Sequence, residues 1–357
     1  MFTVLLGTGG AHYPLRIVSQ EPRAEPAQNP VLATVTRCGH VESWHRGCLV
    51  VVQHGKVVHA VGDVERLVFC RSATKPFQAL PLLERGIAER CGFSTKELAV
   101  MVASHEGTQL HTDLVRGMLE KGGFSEHQLG CGPHVPFDRA TAFELARQGE
   151  RPSRLHNNCS GKHTGFLHLA AALGDSIAGY LDPDCKSQRA VRTAIEEMAE
   201  VEKGSLVAAI DGCGAPTYRL PLTALALAFA RLTNPSGLAA VRARACGQLL
   251  AAIHDAPTCL AGKGQLTTEL ALALPGRIFP KNGAEGVYAL GIAGLDLGLA
   301  VKIDDGNERA YFPVVVAALV QLGVLSAVPA NLADFARVPV FNTQKKLVGA
   351  VEARLSW

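Results

Sequence analysis

The sequence predicts an α/β protein of the α+β type, in which an antiparallel sheet from both ends of the chain is flanked by helices and interrupted by a mainly helical region. Short apolar runs separated by turn residues begin at Val31, as in a strand meander. Helical spacings dominate 77–123 and 140–200. Glycine-punctuated strands return from about residue 276. Strands at both ends with helices between them indicate a sheet domain carrying a helical insertion.

The elements follow in chain order. VLATVTR, CLVVVQ and KVVHAVG form the predicted meander, and LVFC at 67–70 leads into CRSATKPFQALPLL. After the helical region come GRIFP, GVYALGIA and LGLAVKI, and a final helix is expected to begin at Pro313. The predicted units are a loose leader at 1–28, a sheet domain made of 29–75 and 240–357, and a helical region at 76–239. We expect the active site at the seam between the two units, where small-molecule sites usually lie.

Composition excludes several classes of protein. The net charge of +3 on 357 residues, without a basic run interleaved with aromatics, argues against nucleic acid as a partner. The longest apolar stretches fall short of the ~20 residues that span a bilayer, so no membrane segment is expected. Ten dispersed cysteines without a C-x-x-C pair indicate reduced thiols in the cytoplasm.

Ser72 and Lys75 are three residues apart in CRSATKPFQALPLL. On a helix such residues share a face, so the amine could activate the hydroxyl as a nucleophile. Burial, the helix dipole and the neighbouring Arg71 would all lower the pKa of Lys75 and favour this role. An alternative also fits the residues, in which Ser72 is the N-cap of a helix and Pro76 lies in its first turn.

Two later motifs join the first one. Ser104 opens SHEG after the apolar run LAVMVA, and Lys281 follows GRIFP in PKNGAEGVY. Singly, Ser104 could cap a turn and Lys281 could be a solvated lysine beside glycines that allow close backbone approach. Together they repeat the order S-x-x-K, S-D-N, K-T-G of β-lactamases and penicillin-binding proteins, which favours a nucleophilic serine. Ser104 and Lys281 would then form a second hydroxyl–amine pair that shuttles a proton.

Other motifs fail or stay ambiguous. GTGG at 7–10 lacks the third glycine of a dinucleotide site, HEGTQLH lacks the second histidine of a zinc protease, and NNCSGKHTG is not a P-loop. Cys159, Lys162 and His163 lie within one turn, and DGCGAP places Cys213 beside Asp211. Such cysteines could bind a metal such as zinc, although spacing alone favours two structural cysteines.

The sequence resembles the rhizobial-type L-asparaginases, also called the asparaginase II family. The resemblance is carried by RSATKPFQALPLL, ASHEGTQLHTDLV, LHNNCSGKHTGFL, DGCGAP and PKNGAEGVY, with VESWHRGCLVVV near the start. It covers the chain from about Asn29 to near the C-terminus. The family implies a fold similar to serine β-lactamases and glutaminases, hydrolysis of L-asparagine to L-aspartate and ammonia, and a homodimer.

The resemblance also implies roles for individual residues. Ser72 would be the nucleophile with Lys75 beside it, and Ser104 and Lys281 would be the second pair. Zinc would be held by Cys159, Lys162 and Cys213, contrary to the reading from spacing alone. Arg71 is a candidate for binding the substrate carboxylate, and Asp211 or Glu285 for its amine, while His163 would orient a ligand.

Three rival functions remain open on the sequence. A glutaminase would use the same residues with a pocket one methylene longer. A β-lactam hydrolase or peptidase would need an open cleft and, usually, export. A metal-binding or scaffolding protein without catalysis would have no use for two Ser–Lys pairs, and which of Ser72 and Ser104 attacks is also left open.

Overall fold

A computed structural model describes residues 28–357, so the predicted leader at 1–28 lies outside the described residues except for its last position. All pairing between strands is antiparallel. The strands are β1 Val31–Arg37, β2 His40–Gln53, β3 Lys56–Val61, β4 Leu67–Phe69, β5 Ala209–Ile210, β6 Pro216–Thr217, β7 Arg219–Pro221, β8 Ile278–Gly283, β9 Val287–Ile292, β10 Leu297–Ile303, β11 Arg337–Phe341 and β12 Leu347–Ala353.

Eight of these strands form one sheet in the order β11-β12-β1-β2-β10-β9-β8, with β3 also paired to β2. The predicted meander is confirmed as β1, β2 and β3, and the three predicted late strands as β8, β9 and β10. The sheet therefore joins the two ends of the chain through the pairing of β2 with β10, in which Val51 is opposite Leu299. The closing strands β11 and β12 were not predicted from the sequence.

Most of the helices lie between the two groups of sheet strands. They are α1 Lys75–Glu84, α2 Ile87–Arg90, α3 Thr95–Met101, α4 Gln109–Lys121, α5 Arg139–Gln148, α6 Ser160–Leu173, α7 Lys186–Ala199, α8 Leu222–Thr233, α9 Ala240–Asp255, α10 Leu266–Ala273, α11 Glu308–Gln321 and α12 Ala333–Ala336. The α+β class with an antiparallel sheet and a mainly helical insertion is therefore confirmed. The proposed domain boundaries at 75/76 and 239/240 stay a prediction.

The central strands are buried on both faces of the sheet. In β2, Cys48, Val50 and Val52 pack into one hydrophobic cluster, and Leu49 and Val51 pack into another. Helix α8 covers the first face and α11 the second. Burial on both faces explains why this strand is a continuous apolar run rather than an alternating one.

The last long helix does not begin at Pro313 as predicted. It begins at Glu308, where Asn307 is the N-cap and its side chain accepts a hydrogen bond from the Arg309 backbone N–H. An asparagine cap satisfies an amide that the helix leaves free, so it defines the start better than the later proline. Pro313 lies inside the helix instead.

Candidate active site

Ser72 lies in a short 3-10 turn, Arg71–Thr74, immediately before α1. Thr74 occupies the N-cap position of α1, so the alternative in which Ser72 caps the helix is wrong. Pro76 falls in the first turn as expected, where its missing N–H costs nothing. The Ser72 hydroxyl makes no side-chain hydrogen bond within the described part of the chain and is left free to face the cavity that it lines.

Lys75 and Lys281 converge on Ser104. The buried Lys75 Nζ donates to Ser104 Oγ at 3.2 Å, to the Ala103 carbonyl at 2.5 Å and to the Asn158 carbonyl at 3.2 Å. Lys281 Nζ donates to Ser104 Oγ at 2.8 Å and to the carbonyl and side-chain oxygens of Asn282. The predicted Ser104–Lys281 pair is thus a direct hydrogen bond, whereas Lys75 contacts Ser104 rather than Ser72.

Burial shifts both lysines toward the neutral amine relative to a lysine in water. Burial lowers the pKa of Lys75 from its usual 10.5, and the neighbouring Lys162 acts in the same direction. Burial also lowers the pKa of Lys281 well below that value, and Lys75 adds a further lowering. A neutral amine can accept a proton, so Ser104 bridges two potential bases.

A cavity of about 300 Å³ opens in front of the two serines. It lies between the helical region and the sheet, with walls from the loop after α3, from α10, from the end of β8 and from the start of α11. Its lining residues are Ser72, Ser104, Glu106, Phe137, Asn158, Ala261, Gln265, Leu266, Thr267, Asn282, Ala284, Glu308, Tyr311 and Phe312.

Beside this cavity, two cysteines and a lysine form a buried cluster. Lys162 Nζ donates to Cys213 Sγ at 3.1 Å, and Cys159 directly precedes α6, which carries Lys162. A hydrogen bond from the Cys159 thiol, together with Lys162, lowers the pKa of Cys213 to about 4. Burial disfavours the Lys162 ammonium, but Cys213 and Cys159 outweigh it and raise the pKa of Lys162.

The residues that the sequence predicted to bind the substrate do not line the cavity. Arg71 Nε donates to Asp211 Oδ1 at 2.7 Å, so the two charges are paired with each other, and neither residue lines the cavity. Glu285 is exposed in the turn between β8 and β9 and does not line it either. His163 is buried, and burial lowers its pKa to about 3. Its Nδ1 is 2.7 Å from the Tyr180 hydroxyl.

The sequence pattern of the L-asparaginase II family matches residues 33–353. The chain belongs to the L-asparaginase II family. L-Asparaginases cleave an amide bond, so this is a family of amidohydrolases that act on a small molecule. No curated protein matches the chain.

Solved structures give weaker likenesses. One similar structure is that of Mglu in its native form, solved in the presence of 4.3M NaCl. The sequence identity is 15% and the TM-score is 0.41, and the match covers 78% of this chain and 61% of the Mglu chain. It is also similar to a β-lactamase from Mycobacterium bovis, at 15% identity and a TM-score of 0.35, covering 78% and 95%. Both TM-scores are below 0.5, so the fold rests on the strand order and helix layers of the chain itself.

The cysteine–lysine cluster of this L-asparaginase II family member contains donor atoms of the kinds that zinc binds, although Cys213 and burial raise the pKa of Cys159 and its cysteine neighbours raise that of Lys162. Among residues 28–357, no group of three His, Cys, Asp or Glu side chains is arranged to hold a metal. The predicted set contains a lysine instead, and its sulfur and nitrogen donors already touch inside the protein. Thiolates are the ligands that zinc prefers in closed sites, and Cys213 favours that form.

Sequence reasoning missed several polar residues of the cavity. Glu106 follows Ser104 by two positions and was treated only as part of a failed zinc-protease motif. Gln265 is the N-cap of α10, and Glu308 and Tyr311 lie in α11, all far along the chain from the serines. No local signal marked these three, because only the folded sheet and helices bring them together.

The glycines of PKNGAEGVY serve the fold rather than a ligand. A Cβ on Gly283 would lie 2.7 Å from the Cys70 carbonyl oxygen, so β8 packs directly on the turn that carries Ser72. Gly286 has a φ of +68° in the turn between β8 and β9, a conformation that side chains disfavour. The close backbone approach predicted there is thus an approach of the chain to itself.

Proposed function

We propose that the protein is an L-asparaginase that hydrolyses L-asparagine to L-aspartate and ammonia through a serine acyl-enzyme. The observation that carries this proposal is the Ser104 hydroxyl held between Lys75 and Lys281, at 3.2 and 2.8 Å, in a cavity that Ser72 also lines. A hydroxyl between two amines with lowered pKa is suited to moving protons, and a second free hydroxyl is suited to attack.

In the acylation step Ser72 is the nucleophile. Its oxygen attacks the side-chain amide carbon, and its proton passes to Lys75, which contacts Ser104 in this structure and would turn to Ser72 for this step. The bond from carbon to nitrogen then breaks. Ser104 gives its proton to the departing nitrogen and is reprotonated by a lysine, because an amide ion is too basic to leave unprotonated. Ammonia leaves and an ester to Ser72 remains.

In the deacylation step a water molecule replaces ammonia. Its oxygen attacks the ester carbon while a neutral lysine accepts its proton. The bond to Ser72 breaks, the serine oxygen recovers a proton, and L-aspartate is released. The same bridge from Lys75 through Ser104 to Lys281 serves both steps in opposite directions, which is consistent with burial lowering the pKa of both amines.

We also propose a zinc ion bound by Cys159, Lys162 and Cys213. When bound it would supply a fixed positive charge beside the substrate cavity, because Asn158, which lines the cavity, directly precedes Cys159. His163 and Asp211 would orient these ligands and the substrate. Lysine binds metal only as the neutral amine, so zinc binding would release a proton from Lys162.

The same proposal includes a homodimer in the cytoplasm. The homodimer rests on the family resemblance. The cytoplasm rests on ten free cysteines, since an oxidising compartment would favour their pairing. Among the described residues, none of the helices combines the length and apolar character needed to cross a membrane.

A glutaminase is the second candidate function. The serines and lysines would act identically, and the extra methylene of glutamine changes binding by only ~1–3 kcal/mol. The cavity of about 300 Å³ leaves room for either side chain. Comparing kcat/KM for L-asparagine and L-glutamine decides between the two functions.

The deciding experiment measures ammonia release from L-asparagine by wild type, Ser72→Ala and Ser104→Ala, with total zinc quantified in each. We expect Ser72→Ala to lose activity by on the order of 10³-fold or more, and Ser104→Ala to lose about 10²–10⁴-fold because proton transfer is lost. Zinc should stay near one ion per chain in all three. Full activity in Ser72→Ala would place the nucleophile elsewhere, and zinc-free active protein would remove the metal from the proposal.

A further inference from the structure

The charged wall of the cavity is acidic. Of its lining residues within 28–357, only Glu106 and Glu308 carry a charged side chain. Lys75 and Lys281 stand behind the wall at 1% and 0% exposure, each already surrounded by oxygen acceptors. A substrate entering the cavity therefore meets carboxylates before it meets a cation.

Arg71 and Asp211, two of the residues predicted to bind the substrate, already pair with each other. The pair joins Arg71 Nε to Asp211 Oδ1 at 2.7 Å and partly neutralises both charges, and neither side chain reaches the cavity wall. A carboxylate on the wall itself is the more direct partner for the substrate's ammonium group.

Glu106 is held in place as such a partner. Gln265 Nε2 donates to its Oε1 at 2.6 Å. The carboxylate packs against Gly262, where a Cβ would lie 1.9 Å from Glu106 Oε2, and the φ of +138° at Gly262 favours glycine. Glu106 Oε2 accepts no hydrogen bond within the described residues and stays free for a ligand.

Within residues 28–357, no cation lowers the pKa of Glu106 in the way that Lys281 lowers that of Glu308. Burial raises the pKa of Glu308, and the neighbouring Lys281 opposes that rise. Burial raises the pKa of Glu106 as well, and its charged neighbour is the acidic Asp138, which acts in the same direction. A ligand ammonium would supply the opposite charge that Glu106 lacks.

We propose that Glu106 binds the ammonium group of the substrate and thereby makes the site selective for amides that carry a positively charged amine. This inference rests on the proposed amidohydrolase function and names the feature of the substrate that the site recognises. The substrate's carboxylate matters less, because the cavity wall offers it two like charges.

The test compares L-asparagine with two edited substrates. Succinamic acid lacks the amine, and 3-aminopropanamide lacks the carboxylate. For wild type we expect succinamic acid to be the poorer of the two. Glu106→Gln should lower kcat/KM for L-asparagine and 3-aminopropanamide by about 10- to 100-fold, the worth of a hydrogen bond between charged groups. It should not lower kcat/KM for succinamic acid, which has no ammonium group for Glu106 to bind.

Control variants separate the effect of the Glu106 charge from that of its size, and test the other carboxylates that could bind the ammonium group. Glu106→Asp keeps the charge and should restore part of the selectivity, and Glu120→Gln makes the same change at an exposed site on α4. Asp211→Asn and Glu285→Gln test the carboxylates predicted from the sequence. Melting temperatures check that each variant is folded. An equal loss on all three substrates, or a selective loss in Asp211→Asn instead, overturns the proposal.

A failure of the proposed function gives a different result. If wild type hydrolyses none of the three amides, the catalytic proposal is wrong, and calorimetric binding decides the role of Glu106 by itself. Tighter binding of 3-aminopropanamide than of succinamic acid, lost in Glu106→Gln, supports the ammonium site. Equal binding of the two compounds rejects it.

Discussion

At the scale of single residues, the proposed chemistry depends on two lysines that the fold buries almost completely. Burying an ammonium group is costly, so each amine is driven toward its neutral form. Both amines contact the same hydroxyl, Ser104, which makes them a connected proton path rather than two separate pairs. The residue types alone could not have shown this connection, because the motifs are equally compatible with two separate Ser–Lys pairs.

This arrangement predicts a pH dependence of the reaction. The neutral lysine is the active form, so kcat/KM should rise with pH as the amine loses its proton. The rise should level off below 10.5, because burial lowers the pKa of Lys75 and Lys281 from that value. A pH–rate profile for L-asparagine measures it, and Lys75→Arg, which cannot lose its proton, should be inactive throughout. A rise that continues to the ordinary lysine pKa would contradict the prediction.

At the scale of elements, the site depends on how closely β8 packs on the 3-10 turn that carries Ser72. Gly283 ends β8 and would place a Cβ 2.7 Å from the Cys70 carbonyl oxygen and 3.3 Å from the Ala73 nitrogen. The same strand carries Lys281, so one contact aligns both halves of the site. The contact joins residues more than 200 positions apart in the sequence.

We therefore expect Gly283→Ala to damage activity more than stability. Pushing β8 away from the turn should cost about 1–3 kcal/mol of unfolding free energy, while the shift between Ser72 and Lys281 lowers kcat/KM by at least tenfold. Denaturant unfolding and ammonia release measure the two effects. Gly247→Ala is the matched control, because its Cβ meets no atom within 4 Å inside α9. An active Gly283→Ala variant would show that this packing does not align the site.

At the scale of the whole molecule, the sheet is closed by strands from both ends of the described chain. β12 lies between β11 and β1, and β1 pairs with it through Ala33 opposite Ala353. Val351 belongs to the hydrophobic cluster that α11 covers. The last strand is therefore part of the core although it is nearly the last segment of the chain.

Removing residues 347–357 should accordingly prevent cooperative folding. The deletion leaves β1 with an unpaired edge and uncovers part of the cluster under α11, which favours aggregation. Soluble yield and a urea unfolding curve measure the loss. Removing only Ser356 and Trp357 is the control: it loses the stacking of Trp357 on His59 but should leave a cooperative transition. A cooperative transition in the longer deletion would show that β12 is dispensable.

Much of this protein follows from the sequence alone. Turn residues and apolar runs predicted β1–β3 and β8–β10, because the residues of a short segment determine its turns and which of its side chains are buried. The motifs around Ser72, Ser104 and Lys281 were identified together with the family. The start of α11 was misplaced because Pro313 looked like a helix start, whereas the Asn307 side chain is the actual cap.

The tertiary structure decided the rest. It placed Lys75 in contact with Ser104 and paired Arg71 with Asp211. It also brought Glu106 and Gln265 together across 159 positions of sequence. These are contacts between distant segments, and their energies depend on burial and distance, which no local pattern contains. The sequence thus determined the parts, the fold class and the family, while folding determined which charges pair with each other and which remain free for a ligand.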